Sequence, residues 1–267
     1  MITSRQNVRV KEAAKLRLRR QRSRQGRFLI DGARELTRAL DLSSAARIEI
    51  HEAFVCDQFC TLSEARLVVE RLEHAGIEVV QVTPAVFEKL CFGRREDGVV
   101  AVASAQPVPL DDLQLPPCPL VGVLEGIEKP GNVGAILRSA DGAGLDGVIL
   151  VDERTDRYNP STIRASLGTV FAPNICSATM AQTHQWLHAR KIPLVAACPD
   201  AERLYTQVDY RAGAAIVLGS EAEGLSPEWQ DYQVLTVKLP MQGIADSLNV
   251  SATAAVLFYE ARRQRHA

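Results

Sequence analysis

Five short runs of almost purely apolar residues in the second half of the chain constrain its fold more than any other feature. They cover residues 120–124, 148–151, 194–197, 214–218 and 234–237. A strand with one wet face alternates apolar and polar residues, whereas a strand with nothing to show water has to be covered on both sides. Helices crossing over between successive strands supply that cover, so the spacing predicts an α/β domain built on a mainly parallel sheet. It closes with an apolar helix, expected over 247–264 with Ser247 as its N-cap, and a basic tail. The first half alternates shorter elements, with strands expected at 28–30, 53–56, 77–82 and 99–103 and helices at 33–40, 63–75 and 84–90. These make a small second α/β domain. Between the halves, residues 105–119 (AQPVPLDDLQLPPCP) hold five prolines and no periodicity, which suits a semi-rigid linker with the boundary near residue 110. The expected division is a basic arm at 1–26, a small domain at 27–105, a linker at 106–119 and a larger domain at 120–267.

Charge is unevenly placed. The net charge is −1. Residues 1–27, however, carry ten lysines and arginines (Arg5, Arg9, Lys11, Lys15, Arg17, Arg19, Arg20, Arg22, Arg24, Arg27) against Glu12 alone, a local charge of +9 against −10 for the rest. Such a run is either a solvated helix face or a surface for nucleic acid, where each cation set near a phosphate releases condensed counterions. No apolar run reaches the roughly 18 residues of a membrane helix, and the polar, basic start does not read as a secretory signal, which points to the cytosol. Cys56, Cys60, Cys91, Cys118, Cys176 and Cys198 include no C-x-x-C, so free thiols are expected, with neither disulfides nor zinc.

Two patterns mislead. Gly142-x-Gly144-x-x-Gly147 matches a dinucleotide fingerprint, but that fingerprint leaves a strand and opens a helix, whereas these glycines end a helix and lead into a strand. They read as a helix C-cap and turn. His184 and His188 share a helix face without H-E-x-x-H or a third ligand, so no metal site is expected.

Three blocks remain. EGIEKPGNVGAILRSA (125–140) leaves a buried strand through a Gly/Pro turn and enters a helix, placing Asn132 and Arg138 near the carboxyl edge of the sheet, where open α/β folds bind ligands. IVLGSEAEGLS (216–226) ends a buried strand in a glycine turn that lifts Glu221 off that edge; a carboxylate there can hold an arginine or accept a hydroxyl proton. LPMQGIADSLNVS (239–251) leads from a strand into the last helix. Each block alone is also explained by ordinary turns and caps.

Together and in this order, the blocks resemble the three motifs of the SpoU/TrmH family of RNA ribose 2′-O-methyltransferases, part of the SPOUT superfamily, over residues 120–262. Residues 26–105 are similar to that family's accessory substrate-binding domain, through FLIDGARE at the start and GVVAV at the end. The resemblance implies a C-terminal SPOUT domain threaded into a trefoil knot, a small N-terminal α/β RNA-binding domain, a homodimer and S-adenosylmethionine as cofactor. It places Leu218, Gly219, Leu239, Met241 and Leu248 around the cofactor, and Asn132, Arg138, Glu221, Ser247 and Asn249 at the catalytic positions. Because a guanidinium stays protonated, Arg138 is expected to bind the developing oxyanion and a phosphate rather than act as a base, with Glu221 orienting it and Asn132, Ser247 and Asn249 positioning groups around the nucleophile. Arg164 and Ser166 match a segment near the family's site and are assigned to RNA contact. Leu239 stands where isoleucine is more usual, and Ala222 where glycine is common.

The activity implied is methylation of a ribose 2′-hydroxyl of structured RNA, with 23S-type large-subunit rRNA favoured over tRNA by the accessory domain and basic arm. The alternatives are a tRNA enzyme, a non-catalytic RNA-binding protein of the same fold, an RNA base methyltransferase on a similar fold, and a nicotinamide-dependent oxidoreductase, which the misplaced glycine motif disfavours.

Overall fold

A computed structural model describes residues 1–92 and 97–266, with the backbone alone at 230 and 231. The chain separates into two compact units. One comprises residues 1–106 and 156–173, the other 107–155 and 174–267.

The first unit is a four-stranded sheet in the order β1-β4-β2-β3, with β1 at Arg27–Asp31, β2 at Ile48–Val55, β3 at Glu78–Gln81 and β4 at Val99–Ala105. β4 runs antiparallel to β1 and β2, and β3 lies parallel to β2. The helices α3 (Ala33–Leu42), α4 (Ser63–His74) and α5 (Pro84–Leu90) fall where the apolar periodicity places them.

The basic segment, expected as an arm, is folded into this unit. It forms α1 (Val8–Lys15) and α2 (Arg19–Gln25), and Val10, Ala13 and Leu16 enter the core beside Phe54, Phe87 and Leu90. The lysines and arginines masked this spacing of small apolar residues. Residues 156–173 return to the same unit as α7 (Pro160–Ser166) and a 3₁₀ turn at Thr169–Phe171. Tyr158 stacks on Phe28 at 4.1 Å, and Arg22, only 4% exposed, lies 2.5 Å from Asp156 while also donating to the carbonyls of Leu16 and Arg17. Ser166 is buried and turns its hydroxyl to the Ile163 carbonyl, so it cannot touch RNA as its motif position suggests. Arg164 is exposed.

The second unit is a six-stranded sheet ordered β10-β8-β9-β5-β6-β7, parallel throughout. Its strands are β5 (Leu120–Glu125), β6 (Gly147–Val151), β7 (Ile175–Ala178), β8 (Leu194–Ala197), β9 (Ala214–Leu218) and β10 (Val234–Val237). β7 is short, polar at Ser177 and at the sheet edge, and its sequence gives no apolar run to find it by. Strand order reverses between β5 and β9. The prolines of 107–119 do not span free space, because Val108 and Leu113 are buried in this unit's core.

α6 (Pro130–Ala143) and α9 (Val250–Arg265) pack together and explain the misleading glycines. A Cβ on Gly142 would lie 2.8 Å from the Tyr259 hydroxyl, and Gly144 takes the left-handed conformation that caps α6 (φ 72°). Arg262 then donates to the Ala143 carbonyl at 3.1 Å, a cation at the negative end of the helix dipole.

Removing one member of a buried ion pair leaves the other uncompensated. Asp156→Ala is therefore expected to destabilise the first unit by about 3 kcal/mol, read as a lower urea midpoint and faster amide exchange in β1; unchanged exchange would show that the 156–173 segment is not an anchor.

Candidate functional site

The three blocks leave the carboxyl ends of β5, β9 and β10, and the first two strands are neighbours at the reversal of strand order. Open α/β sheets split into a crevice at such a point, because the crossovers on its two sides depart to opposite faces. Leu218, Gly219, Leu239, Met241 and Leu248 line one cleft of about 540 Å³, together with Glu221, Ser247 and Asn249. That volume lies in the range of small-molecule sites.

After β9 the chain turns back on itself between Ser220 and Gly224, which exchange backbone hydrogen bonds of 2.9 and 3.0 Å. A Cβ at Gly219 would lie 2.3 Å from the Gly224 carbonyl oxygen, so this turn closes only on glycine. Ala222 has no positive φ and is accommodated without strain.

Glu125, at the end of β5 and 8% exposed, pins the segment that leaves this turn: one carboxylate oxygen accepts the Ser226 amide at 3.1 Å and the Trp229 indole N–H at 2.8 Å. Arg154 ties the rim, bonding Glu128 at 2.6 Å and Glu223 at 2.5 Å, and these two carboxylates raise its pKa further, Glu128 first. Sequence reasoning missed Glu125 and Arg154, although Glu125 was visible as an acid closing a buried apolar strand.

The polar candidates fall into two groups. Asn249 Nδ2 donates to Glu221 Oε1 at 2.9 Å and to Asn132 Oδ1 at 3.3 Å, joining all three blocks. The other Glu221 oxygen takes Lys129 Nζ at 2.6 Å. Arg138 lies outside this cluster: it is exposed on α6 and has no side-chain partner among the described residues. The expected orientation of Arg138 by Glu221 is therefore not what the chain forms, since Lys129 and Asn249 take both carboxylate oxygens. The last helix also begins later than expected. Its N-cap is Asn249, whose Oδ1 accepts from Ser251 N–H at 3.0 Å, and Ser247 stays in the exposed loop on the cleft wall.

The lining suits a cationic nucleoside. Leu218, Leu239, Met241 and Leu248 are apolar, Glu221, Glu223 and Asp246 stand on the walls against Lys238, and among the described residues the backbone of 239–248 makes no hydrogen bond with other backbone groups. Asn132 Nδ2 is buried without a partner, an uncommon state for an amide. The open backbone donors and acceptors of 239–248 fit S-adenosylmethionine, whose purine, amino acid and sulfonium need both kinds and an anionic surround.

The other titratable candidates do different work. His184 stacks on Tyr232, burial and then His188 lower its pKa, and no group of three potential ligands that could hold a metal occurs among the described residues. All six cysteines are free.

A nucleoside-sized cleft at the carboxyl edge of a parallel sheet, with a hydrogen-bonded carboxamide and carboxylate cluster beside it, is the ligand site of an open α/β fold. The SpoU rRNA Methylase family matches residues 119–259, and the MRM3-like substrate binding domain matches residues 7–101. The chain belongs to the SpoU rRNA methylase family. It is 30% identical over 274 residues to the 23S rRNA (uridine(2479)-2′-O)-methyltransferase of Streptomyces viridochromogenes, covering 99% of this chain and 92% of that protein. Against the 23S rRNA (guanosine-2′-O-)-methyltransferase RlmB of Bordetella pertussis, identity is 35% over 204 residues, covering 74% and 82%. A crystal structure of an RNA 2′-O ribose methyltransferase superposes with a TM-score of 0.85 at 41% identity, covering 100% of this chain and 99% of that one. An AdoMet-bound rRNA methyltransferase from Sinorhizobium meliloti gives 0.86 at 28% identity, covering 98% and 97%.

Glu125→Ala leaves the buried Trp229 indole N–H without an acceptor, at about 1–3 kcal/mol, and frees the half-buried Ser226 amide. The expected result is red-shifted Trp229 fluorescence and weaker binding of S-adenosylmethionine, with Glu125→Gln, which keeps an acceptor, close to wild type; equal behaviour of the two variants would remove Glu125 from this role.

Proposed function

We propose that this chain transfers the methyl group of S-adenosylmethionine to a ribose 2′-hydroxyl of structured RNA in the cytoplasm, with 23S-type large-subunit rRNA as its substrate. The observation that carries the reading is the Asn132–Asn249–Glu221 cluster at the mouth of the cleft. S-adenosylmethionine supplies an electrophilic methyl group on a sulfonium sulfur.

In this reading Leu218, Gly219, Leu239, Met241 and Leu248 hold the methyl donor, and the open backbone groups of 239–248 select its polar atoms. The remaining task is to make a poor nucleophile attack in line, by removing the 2′-proton or stabilising the oxygen as charge develops. Arg138 binds that oxyanion and an adjacent phosphate, since a guanidinium is a permanent donor and not a base. Glu221 sets the position of Asn249, and through it Asn132, while Ser247 faces the nucleophile from the cleft wall.

The finer assembly belongs to the same proposal. β10 lies at the sheet edge beyond β8, yet α9, reached through the 238–249 loop, returns to pack against α6 and β9; this backtracking supports a trefoil knot. Arg138, exposed and without a partner among the described residues, and the exposed Ile244, Leu248 and Tyr259 support a homodimer.

The test incubates the protein with labelled S-adenosylmethionine and, separately, unmodified rRNA and tRNA, then maps the methyl group. Label on a 2′-oxygen of rRNA is expected; label on tRNA alone, or on a base, would replace this substrate, and label on neither would favour a binding protein. Arg138→Ala is expected to lower turnover by about 10²–10³ with donor affinity retained, whereas wild-type turnover would exclude it from catalysis.

A further inference from the structure

We infer that α2 and the first residue of β1 form a phosphate-binding ridge, made by Arg20, Arg24 and Arg27, through which this chain takes up RNA; the inference rests on the methyltransferase reading. The cations of the first 27 residues are not equivalent. One set is consumed by the fold: Arg5 pairs with Glu88 at 3.2 Å, Arg9 with Glu52 and Glu78 at 2.6 and 2.8 Å, Lys15 with Glu12 at 2.6 Å, and Arg22 with Asp156 at 2.5 Å. Arg20, Arg24 and Arg27 are exposed and have no partner among the described residues.

α2 is also built against its own electrostatics. Its first turn holds no acid and begins Arg19-Arg20, where the helix dipole disfavours cations. Arg20 and Arg24 are four apart, a like-charge pair that repels on one helix face. Among the described residues no carboxylate meets Arg20 or Arg24, so the sequence has kept charges that an outside polyanion would neutralise. The helix is nonetheless held in place, because Arg22 on its buried side bonds two carbonyls and Asp156. The three cations of the ridge are arginines, whose planar donor fork matches phosphate oxygens; Lys11 is also exposed without a partner among the described residues but lies on α1. Unpaired guanidiniums carried on a backbone that Arg22 holds in place can meet the phosphates of a folded RNA.

The experiment measures binding of the full-length protein to an unmodified large-subunit rRNA transcript as a function of KCl concentration. In R20Q/R24Q/R27Q the plot of log K against log salt is expected to be shallower by about 2, with wild-type affinity for S-adenosylmethionine and, in the absence of RNA, a melting temperature at or above wild type because the repulsion is gone. R20K/R24K/R27K should regain the slope. R5Q/K15Q/R71Q removes the same charge from residues paired within the fold, Arg71 with Asp41, and should keep the wild-type slope. A wild-type slope in the glutamine ridge variant, or equal flattening in the control, overturns the ridge. Ridge-dependent binding by a protein that transfers no methyl group would uphold the ridge and refute the enzymatic reading.

Discussion

The common direction of the six strands of the second unit is the constraint on which its chemistry depends. Parallel strands need crossovers, crossovers bury both faces, and every strand then ends at the same edge. Three loops far apart in sequence are thereby delivered to one crevice without any of them having to find the others. What remains is local. Glu125 holds the segment after β9 by two donors, Arg154 straps two rim loops, and Asn249 closes the ring between Asn132 and Glu221. Each fastening joins segments that the sheet has already brought close, so little chain entropy is lost in making it.

That division of labour explains what could be read from the sequence. Four strands of the second unit, β5, β6, β8 and β9, were legible because burial on both faces leaves an unbroken apolar run; β10 was read by the same rule, although it is a half-buried edge strand with Thr236 exposed. β7 was not, because a four-residue edge strand carrying a serine has no such signature. α1 was hidden for a different reason: the apolar spacing of Val10, Ala13 and Leu16 is present, but charged residues outnumber it. At the site, the cofactor-side residues were legible as motif positions next to strands. The partners of Glu221 were not, because a carboxylate's choice among Lys129, Asn249 and Arg138 depends on distances no spacing encodes. The N-cap of α9 was misplaced by two residues because Ser247 and Asn249 are both good caps, and only the loop geometry decides between them.

The same chain uses identical side chains in opposite ways within a few residues. Arg22 is desolvated, and its guanidinium is absorbed by carbonyls and Asp156. Arg20 and Arg24, two positions to either side, face water. A seven-residue helix of mostly arginine is thus half structural rivet and half open surface, and composition alone cannot separate the two.

The first unit is discontinuous in sequence, since residues 156–173 belong to it while the chain on both sides of them belongs to the other unit. A fragment ending at Gln106 would retain the four-stranded sheet but lose the ring that covers Phe28 and the carboxylate that neutralises Arg22. A single proteolytic cut between the two halves would likewise not free a complete domain. The accessory unit of this enzyme is therefore not a detachable module, and a gene fusion or truncation that treats residue 106 as its end would begin with an exposed aromatic surface and an uncompensated buried charge.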